Sequence, residues 1–156
     1  MPIGRPHDNQ TSPLDQGSLV YRASQLVGTW QLESYRCVSD DGHTGEGPLG
    51  AAPHGLMIYG ADRHMSVSMM RTDHALSQGE SPVTCFMGYA GMWQLAGEQV
   101  VHEVVVSSHS YLIGTRQVRD FALDGDLLIV SGTTPVGAGA PQRRVLTWRR
   151  ASGGTL

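Results

Sequence analysis

Leu26-Val27-Gly28-Thr29-Trp30-Gln31-Leu32-Glu33-Ser34-Tyr35 decides how the rest of the chain is read. Apolar and polar residues alternate through it, which is the period of a strand with one buried face. Gly28 stands two residues before Trp30; a glycine there permits a tight bend or a close backbone approach, while the indole plugs the end of a small barrel. A matching stretch lies near the other end of the chain, Arg144-Val145-Leu146-Thr147-Trp148-Arg149-Arg150. If the two strands are neighbours, an arginine of the second lies across the Trp30 face and donates to nearby carbonyls, without the sequence saying which one. The pair predicts a barrel closed between its first and last strands.

Composition agrees with that architecture. The 156 residues suffice for one domain with a sizeable core, and 40% hydrophobic residues with 20 glycines favour short strands and turns over long helices. A net charge of -3 without any lysine or arginine run argues against nucleic acid or an anionic membrane as partner. No apolar stretch has the length to span a bilayer. Residues 1–10 lack the apolar core of a secretory signal, so a cytoplasmic location is expected. Cys37 and Cys85 show no metal or redox spacing and read as thiols filling small volumes, though sequence alone leaves a disulfide open.

Residues 1–17 are rich in Pro, Gly, Asp, Gln and Ser and read as a flexible leader, and 151–156 as a flexible tail. A short helix is expected over 18–27, with Ser18 as its N-cap. Strands are expected near 28–38, 55–59, 64–71, 89–95, 99–107, 113–123, 126–131 and 143–150, with turn chemistry such as Leu123-Asp124-Gly125-Asp126 between them. Residues 72–88 lose the alternation and read as a lid or portal, with a short helix near 83–87. The reading is an all-β domain over 18–150: an eight-stranded antiparallel up-and-down barrel, the size that holds one small ligand.

Several pieces, taken in order, resemble the lipocalin-like domain family of bacteria and fungi: Leu26-Val27-Gly28-Thr29-Trp30, Pro53-His54-Gly55-Leu56-Met57-Ile58-Tyr59, Val101-His102-Glu103-Val104, and Leu146-Thr147-Trp148-Arg149-Arg150. That resemblance implies a calycin-type barrel with an internal cavity and no single activity. Some members are encoded among polyketide or other secondary-metabolite pathway genes. Secreted lipocalins usually carry a signal peptide and disulfides, and this sequence departs from them in both.

Alternation then selects the side chains that face the cavity. His102, Val104 and Val106 are taken as inward, because the other choice buries Glu103, and an isolated buried carboxylate is expensive. Gln117, Arg119 and Phe121 form a second inward row, Tyr89 and Trp93 a third, Met57 with Tyr59 a fourth, and Met69 with Met65 and Val67 a fifth. The expected ligand site is therefore Met57, Tyr59, Met69, Tyr89, Trp93, Val104, Gln117 and Phe121, apolar and aromatic with a few polar points. His102 is the candidate for acid–base work and Arg119 for binding a carboxylate or stabilising an enolate. Against this stand a hydrogen-bonded core histidine and an arginine that neutralises Asp120 or Glu103. The methionines suit a bulky polycyclic or acyl ligand.

No Cys/His set has metal-ligand spacing, and there is no phosphate-cradling loop, nucleotide fingerprint or serine elbow, so neither metal nor cofactor is expected. The partner expected is a small hydrophobic or aromatic molecule bound by a monomer or homodimer. Two functions follow from it: a cofactor-independent cyclase or isomerase of secondary metabolism, or a non-catalytic carrier of the same ligand. A filled, purely structural barrel is the third.

Overall fold

A computed structural model describes residues 13–73, 85–134 and 141–153. An N-terminal helix, α1 (Pro13–Leu26), leads into β1 (Gly28–Val38), β2 (Thr44–Glu46), β3 (His54–Tyr59), β4 (His64–Met70), β5 (Phe86–Ala96), β6 (Gln99–Ser107), β7 (Arg116–Asp124), β8 (Leu127–Thr134) and β9 (Gln142–Arg150). Each strand from β3 to β9 pairs antiparallel with the next, β1 pairs with β3, and β9 returns to β1. The result is the expected closed eight-stranded barrel, with the three-residue β2 attached to the far end of β1.

The closing contact is built from the residues that announced it. Trp30 lies opposite Arg150, whose guanidinium sits 4.2 Å from the indole centroid. Arg150 Nη1 donates to the Val27 carbonyl at 3.1 Å, its Nη2 donates to the Gln25 carbonyl, and Trp30 Nε1 donates to the Leu26 carbonyl at 2.9 Å. Gly28 has φ of +137°, and a Cβ there would stand 3.0 Å from Arg150 Nη1. The arginine that reaches Trp30 is thus Arg150, while Arg149 faces outward onto Glu33. Ala23 and Leu26 of α1 are buried against the same end, and Arg22 fixes the helix by pairing with Glu98 at 2.8 Å and lying 5.0 Å from the Phe121 ring. Tight turns join the strands at this end. The connections 39–53 and 108–115 lie at the other, where β4 and β8 end and β5 and β9 begin.

Several boundaries differ from the sequence reading. The helix begins at Pro13, inside the expected leader, where a proline's missing N–H costs nothing in the first turn. Of the short helix expected near 83–87, Cys85 is helical while Phe86 and Met87 belong to β5, and residues 74–84 of the expected lid lie outside the described residues. Residues 113–115 follow a 3₁₀ turn, Ser110–Leu112, so β7 starts only at Arg116. Two bulges shift the strand phase. On β1 the register slips between Leu32 and Ser34, and on β6 Val105 is extra, because Ala90 faces Val106 while Gly91 faces Val104. Val106, expected inside, is consequently exposed.

The core is one cluster, with Trp30, Trp93, Trp148, Tyr59, Leu26 and Met57 almost wholly enclosed. Among the described residues no helix is long and apolar enough to cross a membrane.

Candidate functional site

Above the closed end strands β3, β5 and β6 bring one histidine between two tyrosines. His102 of β6 is only 2% exposed. Its Nε2 lies 2.7 Å from the Tyr59 hydroxyl of β3, and its Nδ1 lies 2.7 Å from the Tyr89 hydroxyl of β5. Burial, with a smaller contribution from the nearby Arg119 charge, pushes the imidazole pKa down to about 3. Burial likewise raises Tyr89 to about 12, against a downward pull from Arg119, and raises Tyr59 well above the ordinary phenol value. All three groups are therefore uncharged at ordinary pH.

Their proton order follows from counting donors. A neutral imidazole offers one N–H and one lone pair, and each phenol has one hydrogen to donate. Tyr59 is 1% exposed and has no polar partner except His102 among the described residues. Were Nε2 protonated, the Tyr59 hydrogen would point at nothing, and an unsatisfied buried donor costs about 1–3 kcal/mol. Tyr59 thus donates to Nε2, and Nδ1–H donates to the Tyr89 oxygen. The hydrogen of Tyr89 is left for the interior of the barrel.

That interior is a cavity of about 70 Å3. Met57, Met69 and Met87 form one side of it, Trp148 and Leu146 another. Its polar lining consists of Tyr35, Tyr89, His102 and two arginines, Arg119 and Arg144. Arg119 is held by the Gln117 side chain, whose Oε1 accepts from Nη2 at 2.8 Å, and by the Val118 carbonyl, which accepts from Nη1 at 2.8 Å. Gln117 is itself held by the Thr115 hydroxyl at 2.8 Å. Arg144 Nη1 donates to the Tyr35 hydroxyl at 3.1 Å, whereas its Nε is buried without an acceptor. Gly132 of β8 pairs with Arg144, and a Cβ there would come within 2.6 Å of Arg119 Cδ. The missing side chain is what admits the arginine.

Of the residues expected at the site, Met57, Met69, Tyr89, His102 and Arg119 line the cavity. Tyr59 stands behind His102, and Gln117 positions Arg119. Val104 is buried but away from the cavity lining. Trp93 packs lower down, its Nε1 donating to the Gly60 carbonyl at 3.0 Å and its ring 4.7 Å from that of Tyr59. Phe121 points inward but lies under Arg22 at the closed end, in a separate hollow. Arg119 neutralises neither of the acids once weighed for it: Asp120 accepts from Gln99, and Glu103 pairs with Arg116.

Sequence reasoning missed Tyr35, Met87, Arg144 and Trp148. The alternation of Arg144 with Leu146 and Trp148 on β9 is the signal in the sequence that points Arg144 inward. Tyr35 turns inward only because of the β1 bulge.

Larger hollows exist, one of about 490 Å3 outside β3 and β4 and one of about 430 Å3 between α1 and β5. Neither gathers the tyrosine, histidine and arginine groups of the interior. Among the described residues no three metal-ligating side chains converge, and no disulfide joins Cys37 to Cys85.

Residues 27–151 match the lipocalin-like domain family. A relative, the 4'-hydroxy-3'-methoxypropiophenone carrier protein ppsC of Aspergillus oryzae, is 45% identical over 53 residues, which are 33% of this chain and 48% of that protein. The match thus spans about half the length of that curated relative. No solved structure matches the chain.

Proposed function

The chain belongs to the lipocalin-like domain family, and we propose that it holds one small oxygen-bearing aromatic metabolite inside its barrel, as a binding protein. The observation that carries this is the Tyr59–His102–Tyr89 chain, which turns the Tyr89 O–H into a cavity lined for the rest by methionine, aliphatic and tryptophan side chains together with Tyr35, Arg119 and Arg144. An aromatic ring packs against Met57, Met69 and Trp148, and its carbonyl or phenolic oxygen accepts from Tyr89. A relative named for carrying an aryl ketone supports both the size and the chemistry. The open volume of about 70 Å3 is small, and a ring-sized ligand is admitted as the methionine side chains rotate.

A second reading, a cofactor-independent cyclase or isomerase, is favoured by Tyr89 and Arg119 sharing one cavity wall, where both would stabilise an enolate as its charge develops. Here His102, neutral and saturated at both nitrogens, acts through Tyr89 as a positioning residue rather than as the base.

Titration with 4'-hydroxy-3'-methoxypropiophenone, read by tryptophan fluorescence, tests the first reading. A saturable change is expected, because Trp148 lines the cavity, and Tyr89→Phe weakens binding by roughly five- to tenfold through the lost hydrogen bond. No saturable change with the ketone or with an apolar dye would overturn ligand holding. For the second, hydrogen exchange at the carbon next to the carbonyl is followed by NMR in deuterated water. Exchange no faster than the protein-free rate removes the enzyme.

A further inference from the structure

We infer that the ligand of this cavity carries an anionic head, a carboxylate, held between Arg119 and Arg144. The inference rests on the ligand-holding reading and narrows it. Two guanidinium groups reach an interior walled mainly by apolar side chains, and neither has a carboxylate within ion-pair distance among the described residues. Both side chains are half-buried, so each charge is partly desolvated, and a group of opposite sign would offset that cost. Other arginines of the chain show the alternative: Arg22, Arg116 and Arg149 each pair with a glutamate, and Arg150 donates to two carbonyls and pairs with Asp126 at 3.8 Å.

The donors left over have the geometry of a binding site. Among the described residues Arg144 keeps a buried Nε with no acceptor, and only its Nη1 is spent, on the neutral Tyr35 hydroxyl. Arg119 is steadied from behind by Gln117, an amide that orients it without cancelling its charge. Gly132 leaves the gap that Arg119 occupies, and any side chain there would close it. A guanidinium presents parallel N–H groups that match the two oxygens of a carboxylate, and Tyr89 supplies a further donor on the same wall. A neutral ketone uses only one or two of these donors, whereas a carboxylate accepts from all three side chains.

The test compares 3-phenylpropanoate with 3-phenylpropanamide, the same shape with and without charge, by tryptophan fluorescence and calorimetry near neutral pH at low salt. Wild-type protein is expected to bind the acid roughly 10- to 100-fold more tightly than the amide, the range of a charge-assisted hydrogen bond in a poorly hydrated site. Arg144→Met and Arg119→Met each bring the acid-to-amide ratio toward one, and Arg144→Lys, which keeps charge but loses the fork, gives an intermediate ratio. The wild-type ratio needs no variant to fold, and it must fall as salt is raised. Equal binding of acid and amide by wild type, or a ratio unmoved in both methionine variants, overturns the anionic head while ligand holding stands. Failure of both probes and of the aryl ketone overturns both.

Discussion

Removing the imidazole from the sealed Tyr–His–Tyr chain makes the sharpest prediction, because its magnitude can be worked from the burial of one group. His102 has a pKa of about 3 in the folded barrel, against 6.5 for an unperturbed histidine. As pH falls through the unfolded value, the unfolded chain takes a proton that the folded barrel refuses, so acid favours unfolding and stability declines until the folded pKa is reached. The slope is about 1.4 kcal/mol per pH unit, which integrates to about 2 kcal/mol lost between about pH 7 and pH 5 from this residue alone. Above about pH 7 it has no effect. Urea unfolding of wild type and His102→Gln, followed by tryptophan fluorescence at both pH values, isolates the difference. Glutamine keeps one donor and one acceptor for the two tyrosines and does not titrate. Wild type should lose about 2 kcal/mol more than the variant on acidification. An equal loss would mean that the imidazole takes up its proton inside the folded barrel, and the proton order assigned to the tyrosines would fall with it.

Arg150→Met removes the cation from the Trp30 face and strands the Val27 and Gln25 carbonyls; a loss of about 2 kcal/mol is expected, seen as a melting temperature lower by roughly 4–8 °C. Gly91→Ala sets a Cβ 1.9 Å from the Glu103 carbonyl oxygen at the β6 bulge, where only backbone could yield, and should cost about 3 kcal/mol or more. Gly97→Ala, with φ of +61° but open space, should cost about 1 kcal/mol in the same thermal melts; equal effects at the two glycines would refute the steric account.

The barrel was legible because its closure is local chemistry repeated at two distant places. Gly28 and Trp30 need an arginine partner, the last strand offers one, and each hairpin between them carries its own turn residues. The inward rows of Met57 and Tyr59, Tyr89 and Trp93, and Gln117 and Arg119 followed from strict alternation and lie where alternation puts them. Alternation failed at the two bulges, since one inserted residue inverts everything beyond it. Val106 went outside and Tyr35 came in. Depth along the barrel axis was the other thing alternation cannot supply. It gave Phe121 and Met69 the same inward status, yet one lies under the helix and the other in the cavity. His102 stood out by residue type, but its two tyrosine partners are set by the stagger of β3 and β5 against β6, which no single strand encodes.

If the barrel holds a ligand as proposed, the methionine side of the cavity has a consequence for how fast that ligand enters. Met57, Met69 and Met87 line a small cavity, so a guest of the proposed kind enters only as these thioethers turn aside. Uptake then consists of two events, a rearrangement that clears the space and the encounter that uses it. The first has a rate of its own, independent of how much ligand is present. At high concentration the observed association rate therefore levels off at the frequency with which the methionines swing aside, and release waits on the same motion. Residence time becomes a property of the container as much as of the grip on the guest.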